Sequence, residues 1–253
     1  MKKILLIGIG AGDPDHITLQ AIKALNRVQA FFVLDKGYDS DDLLRLRRDM
    51  CERFIEGDDY RWVQVRDPQR EEDPASYREG IARWHAQRAI LFEQLIADEL
   101  NDGETGGFLV WGDPGLYDST LRILEQVLAR GRTSFDYEVI PGITSVQSLA
   151  ARHRVALNRI GEPIRITTGR RLERDPVDSL DNVWVMLDAK CTFTRFVDEQ
   201  LWIYWGAYVG TPDEILIAGP LSEVSERIRH TRDVARREKG WIMDSYLLRR
   251  PMD

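Results

Sequence analysis

Gly8-Ile9-Gly10-Ala11-Gly12-Asp13-Pro14 is the segment most indicative of the fold, because it directly follows the apolar run Ile4-Leu5-Leu6-Ile7. A second turn of this kind, Trp111-Gly112-Asp113-Pro114-Gly115-Leu116-Tyr117, follows the apolar run 107–110. Strands that end in such turns are typical of open α/β sheets, where ligands bind outside the carboxyl ends of the strands. Glycines there let the main chain approach a ligand, because no Cβ is in the way. The two turns therefore predict an α/β protein that binds a small molecule.

The first turn resembles the start of a dinucleotide-binding fingerprint, but its spacing differs. That fingerprint needs a third glycine three residues after the second, where the helix packs closely on its strand. Here the second glycine is Gly10, and Asp13 occupies the position of the third. A carboxylate at that position would face a pyrophosphate unfavourably. The spacing therefore disfavours a nicotinamide-dependent dehydrogenase, which stays an alternative together with a purely structural glycine turn.

Composition restricts the classes of partner. The chain has 253 residues, of which 43% are hydrophobic, and its 35 basic and 42 acidic side chains give a net charge of -7. This balance predicts no nucleic acid partner and no attraction to anionic lipid. Cys51, Cys191 and the four histidines show no metal-ligand spacing, so no metal site is predicted. Two isolated cysteines favour a reducing, cytoplasmic location, and no apolar run is long enough to predict a membrane span.

The spacing of apolar runs predicts two domains. Up to residue 157, strand and helix patterns alternate, with a helix capped by Thr18 and a long helix from Asp73 to Leu100. This alternation predicts a mostly parallel sheet with helices. Beyond residue 158 the strand candidates are more closely spaced, at 164–167, 183–187, 203–205, 215–217 and 241–243. We therefore predict an N-terminal α/β domain over 1–157 and a C-terminal α/β domain with a mixed sheet over 158–253.

Three motifs together resemble the tetrapyrrole methylases, the two-domain S-adenosylmethionine enzymes of corrin and sirohaem synthesis. They are the Gly-x-Gly-x-Gly-Asp turn at 8–13, the Gly-Asp-Pro-x-x-Tyr loop at 112–117 and the Pro-Gly-Ile-Thr-Ser turn at 141–145. Further segments, among them 167–172 and 241–244, resemble the family member that methylates ring carbon 1 of precorrin-5 and removes the acetyl group there as acetate. The resemblance runs essentially end to end, and it implies this methyltransferase activity in cobalamin synthesis.

The resemblance implies that S-adenosylmethionine binds in the cleft between the two domains and leaves as S-adenosylhomocysteine. Carried over by motif position, the cofactor-binding residues are Gly10, Ala11, Gly112, Asp113, Leu116, Tyr117, Thr144, Ser145, Met186, Leu187, Gly210 and Ala218. The chain departs from the family at Ala11, where members often have Pro, and at Met186-Leu187, where they often have Met-Gly. Thr144 and Ser145 are also explained as a helix cap, and Asp113 as a turn residue that bonds its own main chain.

Loss of the acetyl group requires an activated water, and therefore a carboxylate or imidazole within hydrogen-bond reach. The catalytic candidates are Asp13, Asp113 and His85, which the sequence does not rank; His85, beside Trp84 on a helix, is also explained as a packing residue.

The expected substrate is a tetrapyrrole with many carboxylates, so arginines should line its site. Arg170 and Arg171 are the candidates for substrate binding, although paired arginines in a loop are also ordinary surface residues. The resemblance further implies a homodimer. A non-catalytic or differently specific tetrapyrrole-binding homologue stays an alternative, because a fold does not guarantee chemistry.

Overall fold

The computed structural model describes residues 1–35, 41–70 and 77–251, and confirms the predicted α/β class. The chain forms two compact units: the first comprises Met1–Gly10 and Pro14–Ile143, and the second Ala11–Asp13 and Thr144–Asp253. The spacing of apolar runs predicts a boundary after residue 157, whereas these units divide after Ile143. The physical reason is that the helix Ser145–His153 packs against strands of the second sheet.

The first unit contains a fully parallel sheet of five strands in the order β3-β2-β4-β1-β5. Its strands are β1 (Lys2–Gly8), β2 (Ala30–Asp35), β3 (Arg61–Arg66), β4 (Thr105–Val110) and β5 (Phe135–Ile140). Its helices are α1 (Leu19–Leu25), α2 (Asp41–Phe54), α3 (Tyr77–Glu99) and α4 (Thr120–Arg130). Strand β1, which lies between β4 and β5, is apolar and fully buried from Ile4 to Ile7, because helices cover both faces of a parallel sheet.

Local sequence signals fix several helix ends of the first unit. The Thr18 hydroxyl accepts a hydrogen bond from the Ala21 amide at 3.0 Å, as its predicted capping role requires. Helix α4 ends at Gly131, whose φ of 68° suits glycine. The predicted start of the long helix at Asp73 lies outside the described residues, and α3 is described from Tyr77 onward.

The second unit contains a mixed sheet of five strands in the order β6-β7-β10-β8-β9, in which only β6 and β7 pair in parallel. Its strands are β6 (Arg165–Thr168), β7 (Val183–Met186), β8 (Trp202–Ala207), β9 (Ile215–Pro220) and β10 (Asp244–Arg249), and its helices are α5 (Ser145–His153), α6 (Gly169–Leu172) and α7 (Leu221–Lys239).

The predicted strand at 241–243 is wrong, because the last strand begins only at Asp244. The apolar residues 241–243 instead form a loop that packs around Tyr208. The Tyr208 amide donates to the Met243 carbonyl at 2.9 Å, and its hydroxyl donates to the Trp241 carbonyl at 2.6 Å. An apolar run thus serves packing here without joining the sheet.

Because of the strand directions, the turns named above lie at one edge of the sheet in each unit. All five strands of the first unit are parallel, so their carboxyl ends share an edge. In the second unit, β10 is antiparallel to both β7 and β8, so the carboxyl ends of β6, β7 and β8 share an edge with the starts of β9 and β10.

Over residues 1–35, 41–70 and 77–251, no helix is both long and apolar enough to cross a membrane.

Candidate functional site

In the first unit, the turns that follow β1 and β4 are bonded to each other through their main chains. The Gly112 amide donates to the Gly10 carbonyl at 2.8 Å, and the Gly10 amide donates to the Gly112 carbonyl at 3.4 Å. Gly10 and Gly112 have φ angles of 83° and 70°, which L-residues rarely adopt. These two predicted cofactor-binding residues therefore lie together, as residues of one binding site must.

The glycines at this edge serve the packing of the protein itself. A Cβ on Gly8 would lie 2.6 Å from the Gly142 amide nitrogen, and a Cβ on Gly142 would lie 2.1 Å from the Gly112 carbonyl oxygen. The sequence suggests that such glycines let the main chain approach a ligand. At Gly8 and Gly142 the close approach is instead between three strand-end turns.

Asp113 holds two of these turns together. Its Oδ1 accepts from the Gly115 amide at 2.7 Å, and its Oδ2 accepts from the Gly142 amide at 2.9 Å. The bond within its own turn is the one that the alternative explanation of Asp113 predicts. The second bond reaches the turn after β5, so the carboxylate positions the main chain at two strand ends. Leu116 follows in the same turn, where its amide donates to the Asp113 carbonyl at 3.1 Å.

Tyr117 combines a strained main chain with an exposed side chain. Its φ is 53°, and 44% of the residue is exposed. Burial of part of the ring raises the pKa of its hydroxyl, which therefore stays neutral at physiological pH. Non-glycine residues in the left-handed region are concentrated at ligand sites. The conformation of Tyr117 therefore fits its predicted place in a cofactor site.

His85 lies on α3 in a cationic environment. Its ring is 5.3 Å from that of Trp84, whose indole donates to the Pro68 carbonyl at 2.9 Å. Burial lowers the pKa of His85, and the charges of three arginines lower it further: Arg88, Arg122 and Arg70. The imidazole is therefore neutral at pH 7 and able to accept a proton.

The first of those arginines is itself part of a buried ion pair. The Arg88 guanidinium donates in bidentate fashion to Asp67, with 2.7 Å between Nε and Oδ1. The guanidinium also lies 3.9 Å from the centre of the Trp84 ring. These contacts fix the part of α3 that carries His85.

In the second unit, the segment 11–13 packs against the turn that follows β8. A Cβ on Gly12 would lie 2.9 Å from the Val209 carbonyl oxygen, and one on Gly210 would lie 2.8 Å from the Asp13 nitrogen. Two predicted site residues far apart in sequence, Asp13 and Gly210, are thus brought together. Ala11 in the same segment is buried.

Glu214, which belongs to none of the sequence motifs, anchors this turn. Glu214 Oε2 accepts from the Gly210 amide at 2.9 Å, and its Oε1 accepts from Arg152 Nε at 2.6 Å. The Glu214 carboxylate raises the pKa of Arg152, and Asp13 contributes in the same direction. The Gly210 amide, a predicted cofactor contact, is therefore already bonded within the protein.

Thr144 and Ser145 begin helix α5. The Thr144 hydroxyl accepts from the Gln147 amide at 3.3 Å, and the Thr144 amide donates to Gln147 Oε1 at 2.9 Å. These reciprocal bonds form a capping box. The helix-cap explanation is therefore confirmed for Thr144, and Ser145 is the first helical residue. A cap is compatible with a ligand contact, so the cofactor role of both stays a prediction.

Met186 and Leu187 lie at the carboxyl end of β7. Leu187 has a φ of 53°, and it is 66% exposed despite its apolar side chain. Ala218 lies elsewhere, since it pairs with Tyr204 inside the sheet whereas Ile215 begins β9 at the edge. Of the predicted residues on this sheet, Ala218 is therefore set back from the edge that carries Leu187.

Arg170 and Arg171 lie on the short helix α6, directly after β6 and at the same edge. Both are exposed, and Arg171 Nε lies 3.5 Å from Asp175 Oδ1. Their position at the edge fits a substrate role, although the ion pair already occupies part of the Arg171 guanidinium.

The sequence motifs also do not include a cluster of buried polar side chains next to the Leu187 turn. Asp188, Arg232 and Asp244 are each buried, and Tyr246 is bonded to the first of them. The sequence offers one weak signal, since Asp188 and Asp244 are the charged residues that interrupt otherwise apolar stretches.

Two further features of the described residues do not contribute to the predicted site. No group of three His, Cys, Asp or Glu side chains in that part of the chain is arranged to hold a metal ion. A surface depression of about 420 Å³ is lined by residues 197–202 together with Pro220, Ser222 and Pro251. Because Trp202 begins β8 and Pro220 ends β9, this depression lies at the opposite edge of the second sheet from Leu187.

Comparison with known proteins gives one consistent result. The family model described as Tetrapyrrole (Corrin/Porphyrin) Methylases matches residues 3–225. Precorrin-6A synthase (deacetylating) from Sinorhizobium sp is 50% identical over 253 residues, which cover 100% of this chain and 97% of that protein.

Solved structures agree with this result. CobF from Corynebacterium diphtheriae, a cobalamin synthesis related protein, matches with a TM-score of 0.85 and 41% identity over 98% of each chain. Uroporphyrin-III C-methyl transferase from Thermus thermophilus, complexed with S-adenosylhomocysteine, matches with a TM-score of 0.57 over 97% of this chain and 92% of its own. At 17% identity, the latter likeness concerns the fold alone.

Proposed function

The chain belongs to the tetrapyrrole methylases, and from this premise we propose that it methylates ring carbon 1 of precorrin-5 and releases the acetyl group at that carbon as acetate, giving precorrin-6A. It is an S-adenosylmethionine-dependent methyltransferase of cobalamin biosynthesis. The observation that carries the finer proposal is the end-to-end identity of 50% with precorrin-6A synthase (deacetylating). The dehydrogenase alternative is not retained.

The residues predicted to bind S-adenosylmethionine suit its chemistry. Tyr117 and Leu187 offer exposed apolar surface at strand ends, which suits contact with a purine ring or a thioether. Both residues have positive φ angles, a feature of residues held in place for a ligand. The amides of Gly112 and Gly210 are bonded within the protein, so other peptide groups of these turns would contact the polar parts of the cofactor.

The chemistry of the donor determines what the protein must do. S-adenosylmethionine supplies a methyl group that its sulfonium already makes electrophilic. The chain's residues therefore have to orient the substrate carbon in line with that methyl group and to exclude water. Rigid turns suit this task, because a small displacement of either reactant slows the transfer strongly. We assign this orienting role to the strand-end turns.

Acetate release needs a residue that accepts a proton from water. His85 is our first candidate, because the burial and arginine charges that lower its pKa keep the imidazole neutral at pH 7, the form that accepts a proton. Arg70 and Arg122 also favour a substrate rich in carboxylates, whereas Arg88 is already paired with Asp67. Asp13 is the second candidate. Asp113 is the third, since its two oxygens already accept bonds from main-chain amides.

Cofactor binding is tested first, by titration calorimetry with S-adenosylhomocysteine. The wild-type protein should bind, and Leu187→Glu should bind at least about tenfold more weakly, because a carboxylate replaces an apolar contact. Ile160→Glu is the matched control, since Ile160 is fully exposed in the same unit. A wild-type protein that does not bind the ligand would contradict the proposed function.

The reaction is tested with precorrin-5 and S-adenosylmethionine. We expect one methyl transfer and one acetate per turnover, and His85→Gln should slow acetate release while leaving S-adenosylhomocysteine affinity unchanged. Methylation without acetate would indicate a different specificity. Cofactor binding without turnover of any tetrapyrrole would favour the non-catalytic homologue.

A homodimer and a cytoplasmic location complete the proposal. The two cysteines, Cys51 and Cys191, are buried as free thiols, which suits a reducing compartment. Sedimentation equilibrium over a range of concentrations tests the dimer, and a monomer throughout would contradict it.

A further inference from the structure

Asp188 directly follows Leu187, and its carboxylate is the most heavily bonded one at the carboxyl edge of the second sheet among the described residues. Only 5% of the residue is exposed. Its Oδ1 accepts from the Thr192 hydroxyl at 2.9 Å and from the Lys190 amide at 3.1 Å. Its Oδ2 accepts from the Thr192 amide and from the Tyr246 hydroxyl, both at 2.6 Å. Four donors therefore fix the position of one side chain.

The main chain of Asp188 is fixed as well. Arg232 Nη2 donates to the Asp188 carbonyl at 3.1 Å, while Arg232 Nε donates to Asp244 Oδ2 at 3.0 Å. The Trp205 indole donates to the same Asp244 oxygen at 3.0 Å. Burial raises the pKa of Asp244, and the Arg232 guanidinium opposes that rise. The cluster thus connects β8, β10 and α7 to the residue after Leu187.

Close packing leaves Asp188 no freedom to move. A Cβ on Gly169, at the start of α6, would lie 2.4 Å from Asp188 Oδ1. Gly169 therefore lies directly against the carboxylate.

Leu187 is the residue that this cluster holds under strain. A leucine with a φ of 53° adopts a conformation that is unfavourable for a residue with a Cβ, and it persists only where the surroundings enforce it. The Leu187 side chain is mostly exposed, so its own packing does not enforce the conformation. The fixed neighbour is Asp188, with five bonds to its side chain and carbonyl.

We propose that Asp188 is a positioning residue that holds Leu187 in the left-handed conformation in which its main chain and side chain contact S-adenosylmethionine. The inference rests on the proposed function, since Leu187 is a predicted cofactor contact. Without Asp188, the turn relaxes in the free protein, and the cofactor has to restore the strained conformation when it binds. Affinity is then lost although no contact with the cofactor has been removed.

The test is a double-mutant cycle, measured by calorimetry with S-adenosylhomocysteine. Asp188→Asn should weaken binding about tenfold, because the strain of one left-handed residue corresponds to about that factor. In the Leu187→Gly background, Asp188→Asn should weaken binding by less than about threefold, because glycine adopts the conformation freely. The coupling between the two substitutions is the signature of positioning, which a general loss of stability would not produce.

Asp175→Asn is the matched control, because the Asp175 carboxylate is also buried in this unit and pairs with Arg165 and Arg171, not with the cluster around Asp188. It should lower the melting temperature and leave the affinity within about twofold of wild type, since separate sites act independently. If Asp188→Asn does not fold, Tyr246→Phe takes its place in the cycle, because it deletes one of the four donors with little change of shape.

Three outcomes overturn the proposal. Equal affinity of Asp188→Asn and wild type shows that Asp188 does not position the contact. An equal loss in both backgrounds shows that Asp188 acts other than through the conformation of Leu187. Absence of binding by the wild-type protein overturns the proposed function itself, and is distinguished from the other two because it needs no variant.

Discussion

The strand-end turns of the two units are fixed in different ways. In the first unit, glycines let the turns after β1, β4 and β5 touch through their main chains, and Asp113 bonds two of them. In the second unit, buried charged side chains hold the turn after β7, through Asp188 and Arg232, and Glu214 holds the turn after β8. The close contacts in the first unit require glycines, which have no side chain. The turn after β7 in the second unit requires buried charged side chains.

This difference has a physical consequence. Contacts between main chains do not titrate, and they tolerate no added atom at the contact. Buried charges depend instead on their partners being present and ionised. Substitutions in the two units should therefore destabilise the protein through different mechanisms.

Removal of the buried cation of the second unit should have the largest effect. Arg232→Met leaves the Asp244 carboxylate buried without its partner, since both side chains are 6% exposed. We expect a loss of about 3–5 kcal/mol in the free energy of unfolding at pH 7. Because the pKa of Asp244 is already raised, its protonation in acid should reduce the loss.

Arg229→Met is the control in urea unfolding. It lies on the same helix, and its pair with Glu226 is exposed, so its cost should stay below about 1 kcal/mol. A similar cost for both variants would show that the buried cluster does not stabilise the second unit.

A single methyl group should disrupt the turns of the first unit. Gly142→Ala places a Cβ 2.1 Å from the Gly112 carbonyl oxygen, where main chain meets main chain and neither moves easily. We expect a loss of about 3 kcal/mol, measured by thermal or urea unfolding.

Gly131→Ala isolates the effect of contact from that of conformation. Gly131 has a φ of 68°, but no atom lies within 4 Å of its added Cβ. Its cost should be about 1 kcal/mol, from the left-handed conformation alone. If the two alanine variants are equally stable, main-chain contact is not what holds the turns of the first unit.

The effect of pH should be smaller and should involve both units. Burial lowers the pKa of His85 in the first unit and, opposed by a bond to the Trp205 carbonyl, that of His153 in the second. The unfolded chain therefore binds protons at a higher pH than the folded chain does. Stability from these groups is complete above about pH 6.5 and is lost as pH falls through the lower, folded pKa values.

Urea midpoints between about pH 7 and pH 5 test this effect. The midpoint should fall towards pH 5, and His153→Gln should reduce the fall. A wild-type midpoint that rises on acidification would show that the sign of the shifts is wrong.

Local features of the sequence determined the fold class and the ends of several helices and strands. The buried run Ile4–Ile7, the Thr18 cap and the end of α4 at Gly131 depend on neighbours in the chain, so periodicity and turn chemistry predict them. The three glycine and proline turns also carry the resemblance to the family, which the comparisons confirm. The turns at Gly10 and Gly112 meet because parallel strands end at one edge.

The contacts that hold those turns in place are visible only in the tertiary structure. Asp188 is bonded to Tyr246, 58 residues later, and the Gly210 turn packs on Asp13 from the other end of the chain. The residues 241–243 look like a strand but pack around Tyr208 as a loop. Such contacts join segments that are distant in sequence, and their energy depends on burial and on a partner's position. Neither quantity is a property of a local sequence pattern.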